Sequence, residues 1–458
     1  VKVAGRNIHF IGIGGIGMSS IAHIAAARGA IVSGCDRNEN YVIDGLRSKG
    51  ITCHTGHSPD HLQGVDLLVV SSAIDKSEPE IARAAAECVP VLSRARMLAV
   101  LMEGHQGIGV AGAHGKTTTT WIVSNIFIRG GFDPTVMLGG LVSDLNGNFR
   151  VGRSDLFVTE VDESDRSLLE LAPKYAILTN IDREHLDNYR DLDDIKETFR
   201  SFVSRMPADG CLVACTDSAG VADVLSACPA RVVTCGFDRP AEVRIINRRF
   251  MPGGSEFEIM WHNQPVLDLR LSLPGEHNIQ NALAAAALAL ECGVPIPAIR
   301  NALANTPTVH RRFENKGSAN NITVIDDYGH HPTEIKATLK TARIAWPEGR
   351  LIGIFQPHRY SRTHALCDDF ADAFDDLDLL VITDIYCADE QPIEGVSSEL
   401  ILNAVLARGR KIQIEYVPKL NEVPERVLPM LQPGDTLITI GAGDVGALGD
   451  KILSRLRE

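Results

Sequence analysis

No Cys-x-x-Cys pair occurs in the sequence. Its ten cysteines are scattered, the closest pair being Cys211 and Cys215. Reduced, buried or idle thiols are therefore expected, rather than a zinc centre or a disulfide framework. No apolar run is long enough to span a membrane. The longest, Ala282 to Leu290, falls well short of the ~18 residues a span requires. No long basic run offsets the formal net charge of −13, which argues against a nucleic-acid surface. Small anionic ligands remain allowed, because they need only a local positive site. Low-complexity tracts and short-period repeats are missing too, and no signal-peptide pattern precedes the first strand-like run, "IHFIGIG". A soluble, cytoplasmic protein without nucleic-acid or membrane partners is expected, as a monomer or homodimer.

What is present is material for several cores. At 458 residues and 45% hydrophobic content, the chain suits about three domains of ordinary size. Short β-branched runs alternate with helix-like stretches. Examples are "AIVSGCD", "DLLVVSSA", "QGIGVAGA", "DLFVTEVD", "YAILTNID", "CLVACTD", "NITVIDDYG", "RLIGIFQPH", "DLLVITDIY" and "DTLITIGAGD". Continuous runs of this kind predict parallel strands buried on both faces, hence an α/β fold. Many end in Gly, Ser, Asp or His clusters, at the edge where open α/β sheets collect ligands. Breaks near Val89–Met102 and Leu303–Gly317 divide the chain. Residues from about Ala241 to Leu273 read instead as an antiparallel β appendage, with turns at Pro252-Gly253-Gly254 and near His262-Asn263.

Two glycine loops follow strands and open helices. "GIGGIG" places Gly12, Gly14 and Gly17 in the pattern G-x-G-x-x-G, and Asp36 closes the next strand. That fits a dinucleotide, but a sugar-nucleotide diphosphate or a bare tight turn would fit as well. The second, "VAGAHGKTTTT", has Val110 where the usual phosphate loop has its first glycine. Even so, Lys116 offers a charge to β- and γ-phosphates and Thr117 a hydroxyl to Mg²⁺.

Further on, "TEVDESD" sets Glu160 and three more carboxylates at a strand end; it is either a solvated acidic turn or a Mg²⁺ site. "TNIDREHLDNY" places His185 at the next strand end, as a ligand, a base or a surface residue. Asn278 and Asn281 in "GEHNIQNA" either cap the alanine-rich helix or read a nucleobase edge. The last third holds "HRRF", "DDYGHHPTEI" and "FQPHRYSRT". Their Arg312, Arg359 and Arg362 form a cationic group suited to phosphates and carboxylates, with a surface ion-pair network as the alternative.

In this order and spacing, these stretches and "GAGD" (Gly441 to Asp444) resemble the Mur ligases from about residue 8 to the C-terminus. "DDYGHHPTEI" followed by "FQPHRYSRT" is similar to the alanine-adding branch, not to the relative that attaches a recycled tripeptide. The resemblance implies three domains. Residues 1–94 would form a Rossmann-like domain for UDP-N-acetylmuramate. Residues 95–308 would form a central P-loop ATPase-like α/β domain with the β appendage. Residues 309–458 would form a C-terminal Rossmann-like domain helping to bind ATP and amino acid. It also implies a shorter loop motif starting at Gly112, so Val110 is no defect.

The implied reaction is ATP-dependent. The lactyl carboxylate of UDP-N-acetylmuramate attacks the γ-phosphate, giving an acyl phosphate and ADP. The amine of L-alanine then displaces phosphate. Two anions meet in the first step, so catalysis is mainly charge neutralisation and positioning. The resemblance places Gly112, Ala113, His114, Gly115, Lys116, Thr117 and Thr118 on ATP phosphates and Asn278 and Asn281 at adenine. Arg312 and Asp327 would contact ATP across the domain gap. Thr117 and Glu160 would hold one Mg²⁺ and His185 a second. His330, Arg359 and Arg362 would hold the reacting carboxylate and alanine, and Gly14, Gly15 and Ser72 the sugar nucleotide. Lys116, His185, His330, Arg359 and Arg362 are the expected catalytic set. An NAD-dependent oxidoreductase, read from "GIGGIG" and Asp36, would leave the lysine loop and the arginines without a task. A nucleotide binder without turnover is a further alternative.

One departure from the family pattern is Ala113, where a hydroxyl residue is usual. It forgoes one hydrogen bond to a charged phosphate, about 1.5–3 kcal/mol. Ala113→Thr should leave turnover intact and tighten ATP binding, read by titration calorimetry. Loss of ATP binding in that variant would refute this reading of the loop.

Overall fold

The structure is a computed structural model. It describes residues 2–458 apart from Ser72, Lys76, Asp238, Arg239, Pro252, His262, Asn263, Asp389, Arg410 and Lys411. The strand-like runs form three separate sheets. In the first, five parallel strands run in the order Thr52–Thr55, Ile31–Asp36, Asn7–Ile11, Leu67–Val70, Val91–Ser93. The winding reverses beside Asn7–Ile11, and a crevice opens there at the carboxyl ends of the strands. Gly12 to Gly15 occupy that point, before the helix Ile16–Ala27. Gly12 has φ +79°, a left-handed conformation natural to glycine. Gly14 donates its N–H to Asp36 Oδ2 at 3.0 Å. The carboxylate that ends the second strand thus braces the loop.

The second sheet has ten strands. Its middle is parallel: Cys211–Cys215, Tyr175–Leu178, Gln106–Ala111, Leu156–Glu160 and Thr135–Val142 lie side by side. The strand leading into the lysine loop therefore sits between the two that deliver Glu160 and the "TNIDREH" turn. The helix Lys116–Arg129 leaves directly from Gly115, whose φ of +80° makes the sharp corner. Against it packs the helix Glu276–Glu291, buried almost throughout by its alanines. Small side chains let two helix backbones approach closely, which is what this sequence requires.

The predicted appendage is antiparallel, with Val243–Met251, Gly254–Trp261 and Gln264–Leu271 as its strands. It is not a separate sheet. Cys235 and Gly236 of Arg231–Gly236 pair with Val243 and Arg244, so the three strands extend the central sheet. Gly253 has φ +76° at the first turn; Pro252, His262 and Asn263 fall outside the described residues.

The third sheet runs Glu314–Ala319, Ile322–Asp327, Thr436–Ile440, Leu351–Phe355, Leu379–Ile382, Gln413–Tyr416, with only the first strand antiparallel. That edge strand reads ENKGSA. It carries no hydrophobic run, because one side faces solvent, and so it was not among the expected strands. Thr52–Thr55, Val91–Ser93 and Gln413–Tyr416, short outer strands of mixed polarity, were not expected either, nor were Thr135–Val142, Gly147–Arg150 and Arg231–Gly236 of the second sheet.

The first sheet's packing is tightest at Gly34. A Cβ there would lie 2.6 Å from the Phe10 carbonyl and 2.5 Å from Ile13 Cδ1. Gly34→Ala is expected to destabilise by about 1–3 kcal/mol, seen as a lower urea midpoint for the N-terminal transition. An unchanged midpoint would show that this strand can shift without cost.

Candidate active site

Burial of charge governs the lysine loop. Lys116 Nζ lies 2.6 Å from the Gly112 carbonyl, 3.0 Å from that of Ala113 and 2.7 Å from Glu163 Oε1. Burial opposes its charge, but Glu163 and Asp162 outweigh that and raise its pKa above the ordinary lysine value. The ammonium is thus fixed over the loop. Glu163 belongs to the acidic turn noted in the sequence, yet its pairing with Lys116 was not expected. Nothing in residue spacing marks which of four carboxylates turns inward.

Thr117 donates its hydroxyl to Glu160 Oε2 at 3.1 Å, and Gly139 N–H donates to Glu160 Oε1. Burial raises the Glu160 pKa despite these donors and Lys116. His185 Nε2 stands 3.4 Å from Glu163 Oε1 and 3.5 Å from Glu184 Oε2. It therefore joins the lysine cluster through Glu163, not through Glu160. Glu163 Oε2 is buried and has no hydrogen-bond partner among the described residues.

Next to this cluster lies a cavity of about 440 Å³ between the central and C-terminal parts of the chain. Its lining includes His114, Gly115, Thr118, Asn278, Asn281, Arg312 and Asp327. Seven residues singled out in sequence thus meet around one space. Neither asparagine caps its helix: Gly275 holds the N-cap without a side-chain bond. Asn278 donates to the Pro274 carbonyl at 2.6 Å, and Asn281 donates to Asn278 Oδ1 at 3.3 Å. A Cβ on Gly115 would lie 2.7 Å from Asn281 Oδ1. Asp327 is buried and accepts from Phe313 N–H and Gly329 N–H, both at 2.8 Å.

The C-terminal part approaches through charged pairs. Arg362 donates to Glu184 Oε2 at 3.1 Å and Arg359 to Asp187 Oδ2 at 2.8 Å. Both carboxylates sit in the "TNIDREHLDNY" turn, and a 260 Å³ cavity runs between this turn and the two arginines. Burial holds the pKa of His330 down at about 4, with Arg362 adding to the effect against Glu334. His330 is therefore neutral at physiological pH. His331 caps the helix Pro332–Ala345 and reaches the Arg183 carbonyl at 3.2 Å. Gly14 and Gly15 remain in the first sheet, apart from the lysine cluster, though Asn148 of the central sheet donates to the Ile16 carbonyl at 3.2 Å. Arg94, which the sequence did not flag, connects the two regions. It pairs with Asp162 at 3.0 Å and would meet a Cβ on Gly17 at 3.5 Å. Ser72 lies outside the described residues.

The fold and cleft define a three-domain α/β protein of the phosphate-loop type. Its sequence matches three family descriptions: "Mur ligase family, catalytic domain" over residues 7–106, "Mur ligase middle domain" over 110–289 and "Mur ligase, glutamate ligase domain" over 311–443. The UDP-N-acetylmuramate–L-alanine ligase of Syntrophus aciditrophicus is 43% identical, covering 99% of this chain and 94% of the relative. That of a Geobacter species is 44% identical, covering 99% and 98%. Among solved structures, the UDP-N-acetylmuramate–alanine ligase of Thermotoga maritima aligns with TM-score 0.82 at 30% identity, over 98% of this chain and 99% of that one. A murein peptide ligase from Psychrobacter arcticus aligns with TM-score 0.72 at 25% identity, over 99% of each. The chain belongs to the Mur ligase family.

His114 links the two halves of the cleft. Its Nε2 lies 2.9 Å from Asp182 Oδ2 and its Nδ1 3.3 Å from Glu334 Oε1. Burial opposes its charge, but both hydrogen bonds outweigh that and raise its pKa to about 10. A raised folded value means the contribution is complete below the ordinary 6.5 and is lost as pH rises through about 10. Asp182, lowered mainly by the bond to His114, contributes above 3.8 and loses its contribution only in stronger acid. His114→Ala should therefore open the cleft at neutral pH, read as a larger radius of gyration in solution scattering. Above about pH 10 the wild type should converge on the variant. Equal radii at neutral pH would remove His114 as the link.

Proposed function

We propose that the chain joins L-alanine to the lactyl carboxylate of UDP-N-acetylmuramate, using ATP and passing through an acyl phosphate, in the cytoplasm. The observation that carries the reading is the unbroken line of contacts from Lys116 through Glu163, His185 and Glu184 to Arg362. The first step brings a carboxylate to a triphosphate, and these cations offset that repulsion in a water-poor site. The domain limits we assign are 1–94, 95–308 and 309–458.

ATP would lie in the 440 Å³ cavity, its adenine toward Asn278 and Asn281. Its phosphates would run along Gly112 to Thr118, with Arg312 and Asp327 reaching in from the C-terminal domain. Lys116 would transfer part of its bonding from Glu163 to the β- and γ-phosphates. Mg²⁺ suits the carboxylate set: Glu163 Oε2 is buried without a partner, and hard cations take oxygen ligands. Thr117 and Glu160 would hold one ion, and His185 with Glu163 a second. When bound, the ions supply charge neutralisation to the transferring phosphoryl group. Arg359 and Arg362, now tied to Asp187 and Glu184, would turn to the two carboxylates of the substrates. His330, held neutral, would orient the incoming amine. Gly14 and Gly15 would receive the diphosphate of the sugar nucleotide at the helix N-terminus, with Ser72 close by.

The competing reading adds a preformed peptide to the same sugar nucleotide. Murein peptide ligases share the fold, yet among solved structures identity is 25% to the Psychrobacter arcticus enzyme against 30% to the Thermotoga maritima alanine ligase, and full-length alanine-ligase relatives reach 43–44%. Phosphate release with ATP, Mg²⁺ and UDP-N-acetylmuramate should depend on added L-alanine and fail with tripeptide. Release with tripeptide alone would reverse the assignment. Lys116→Ala is expected to lower turnover by at least about a hundredfold and to leave sugar-nucleotide binding in place, because the two loops lie on different sheets. Loss of both together would count against that division.

A further inference from the structure

The N-terminal domain holds a second group of ionisable side chains, none of them among the residues assigned above. Strand Asn7–Ile11 carries His9 and the adjacent strand Ile31–Asp36 carries Cys35. The turn at Pro59–Leu62 brings His61, and the helix Pro79–Ala86 brings Glu80. One donor atom from each of these four lies within 4.8 Å of the others. His9, Cys35 and Glu80 are 0% exposed, and His61 closes the outer side. Glu80 Oε1 lies 3.2 Å from Cys35 Sγ and 3.0 Å from His61 Nδ1. The edges of a tetrahedral zinc site are roughly 3.3–3.6 Å, from metal–ligand distances of about 2.0–2.3 Å.

The polar accounting of this group is incomplete. Glu80 Oε2 and His9 Nε2 are buried with no hydrogen-bond partner among the described residues. His57 Nδ1 stands 3.3 Å from Glu80 Oε2 outside hydrogen-bonding geometry and bonds Cys35 Sγ instead at 3.2 Å, while Glu80 Oε1 accepts the Ser58 N–H at 3.1 Å. The ionic partners of Glu80 among the described residues are imidazoles alone. Burying a carboxylate without a firm cation is costly. On the other ring atom of His9, Nδ1 lies 2.8 Å from Ser33 Oγ. With the Nδ1 proton given to that hydroxyl, the buried Nε2 keeps a free lone pair, the tautomer that outer-sphere partners impose on metal-bound histidines.

We propose that His9, Cys35, His61 and Glu80 form a structural site for a divalent transition metal, Zn²⁺ by its preference for mixed sulfur and nitrogen ligands. On binding, the Cys35 thiol gives its proton to solvent and its sulfur bonds the metal. One thiolate and one carboxylate then balance the two positive charges, so a neutral centre is buried. No Cys-x-x-Cys announces it, because the four ligands come from four elements joined only by the fold. The site would clamp the two strands that carry the first glycine loop, since Cys35 precedes Asp36, which braces Gly14.

The test uses the full chain, stripped with chelator and titrated with Zn²⁺ or Co²⁺ in excess Mg²⁺. One equivalent should bind, and Co²⁺ should produce a thiolate charge-transfer band. Cys35→Ser, nearly isosteric, should abolish the band and weaken metal binding by at least about a hundredfold. Ser33→Ala should keep the band and weaken binding about tenfold. Zinc retained by Cys35→Ser at wild-type affinity would assign it elsewhere, such as the His114, Asp182 and His331 group, and overturn the proposal. No bound equivalent, or cobalt without the band, would overturn it as well.

Discussion

The site depends on one buried ammonium among carboxylates. Removing both partners of such a pair from water costs several kcal/mol per ion, and only close contact recovers it. Lys116 meets that condition through Glu163 and two loop carbonyls. The loop consequently has one path, and Gly115 must take the left-handed corner that starts the helix. Thr117 then faces Glu160, and the Asn278–Asn281 face closes on Gly115.

Domain contact obeys the same electrostatic logic. Glu184, Asp187 and Asp182 follow one central strand, and each receives a group from the C-terminal domain: Arg362, Arg359 and Thr333 respectively. The acidic turn that would be repulsive on its own is satisfied by cations and donors from a different sheet. In a chain of net charge −13, these carboxylates are thus matched one by one across the domain contact.

Much of the fold is legible from pattern. Runs such as "DLLVVSSA" and "DLFVTEVD" are buried on both sides and admit little besides parallel strands. The outer strands are not legible in that way: ENKGSA pairs through its backbone, and its polar side chains are half-buried or exposed and form no apolar run. The lysine loop was legible because it is a short contiguous motif between a strand and a helix. Glu163, Glu184, Glu334 and Arg94 were not, since their partners are 47, 178, 220 and 68 residues away in sequence.

The sequence by itself determined the α/β class and the two glycine loops, because each rests on local periodicity or a contiguous motif. Tertiary structure alone decided which carboxylate takes Lys116 and which asparagine face meets the loop. It also decided that the β appendage extends the central sheet, and that one of ten scattered cysteines stands among two imidazoles and a carboxylate. Those outcomes depend on distances between elements far apart along the chain, and packing, not spacing, sets such distances.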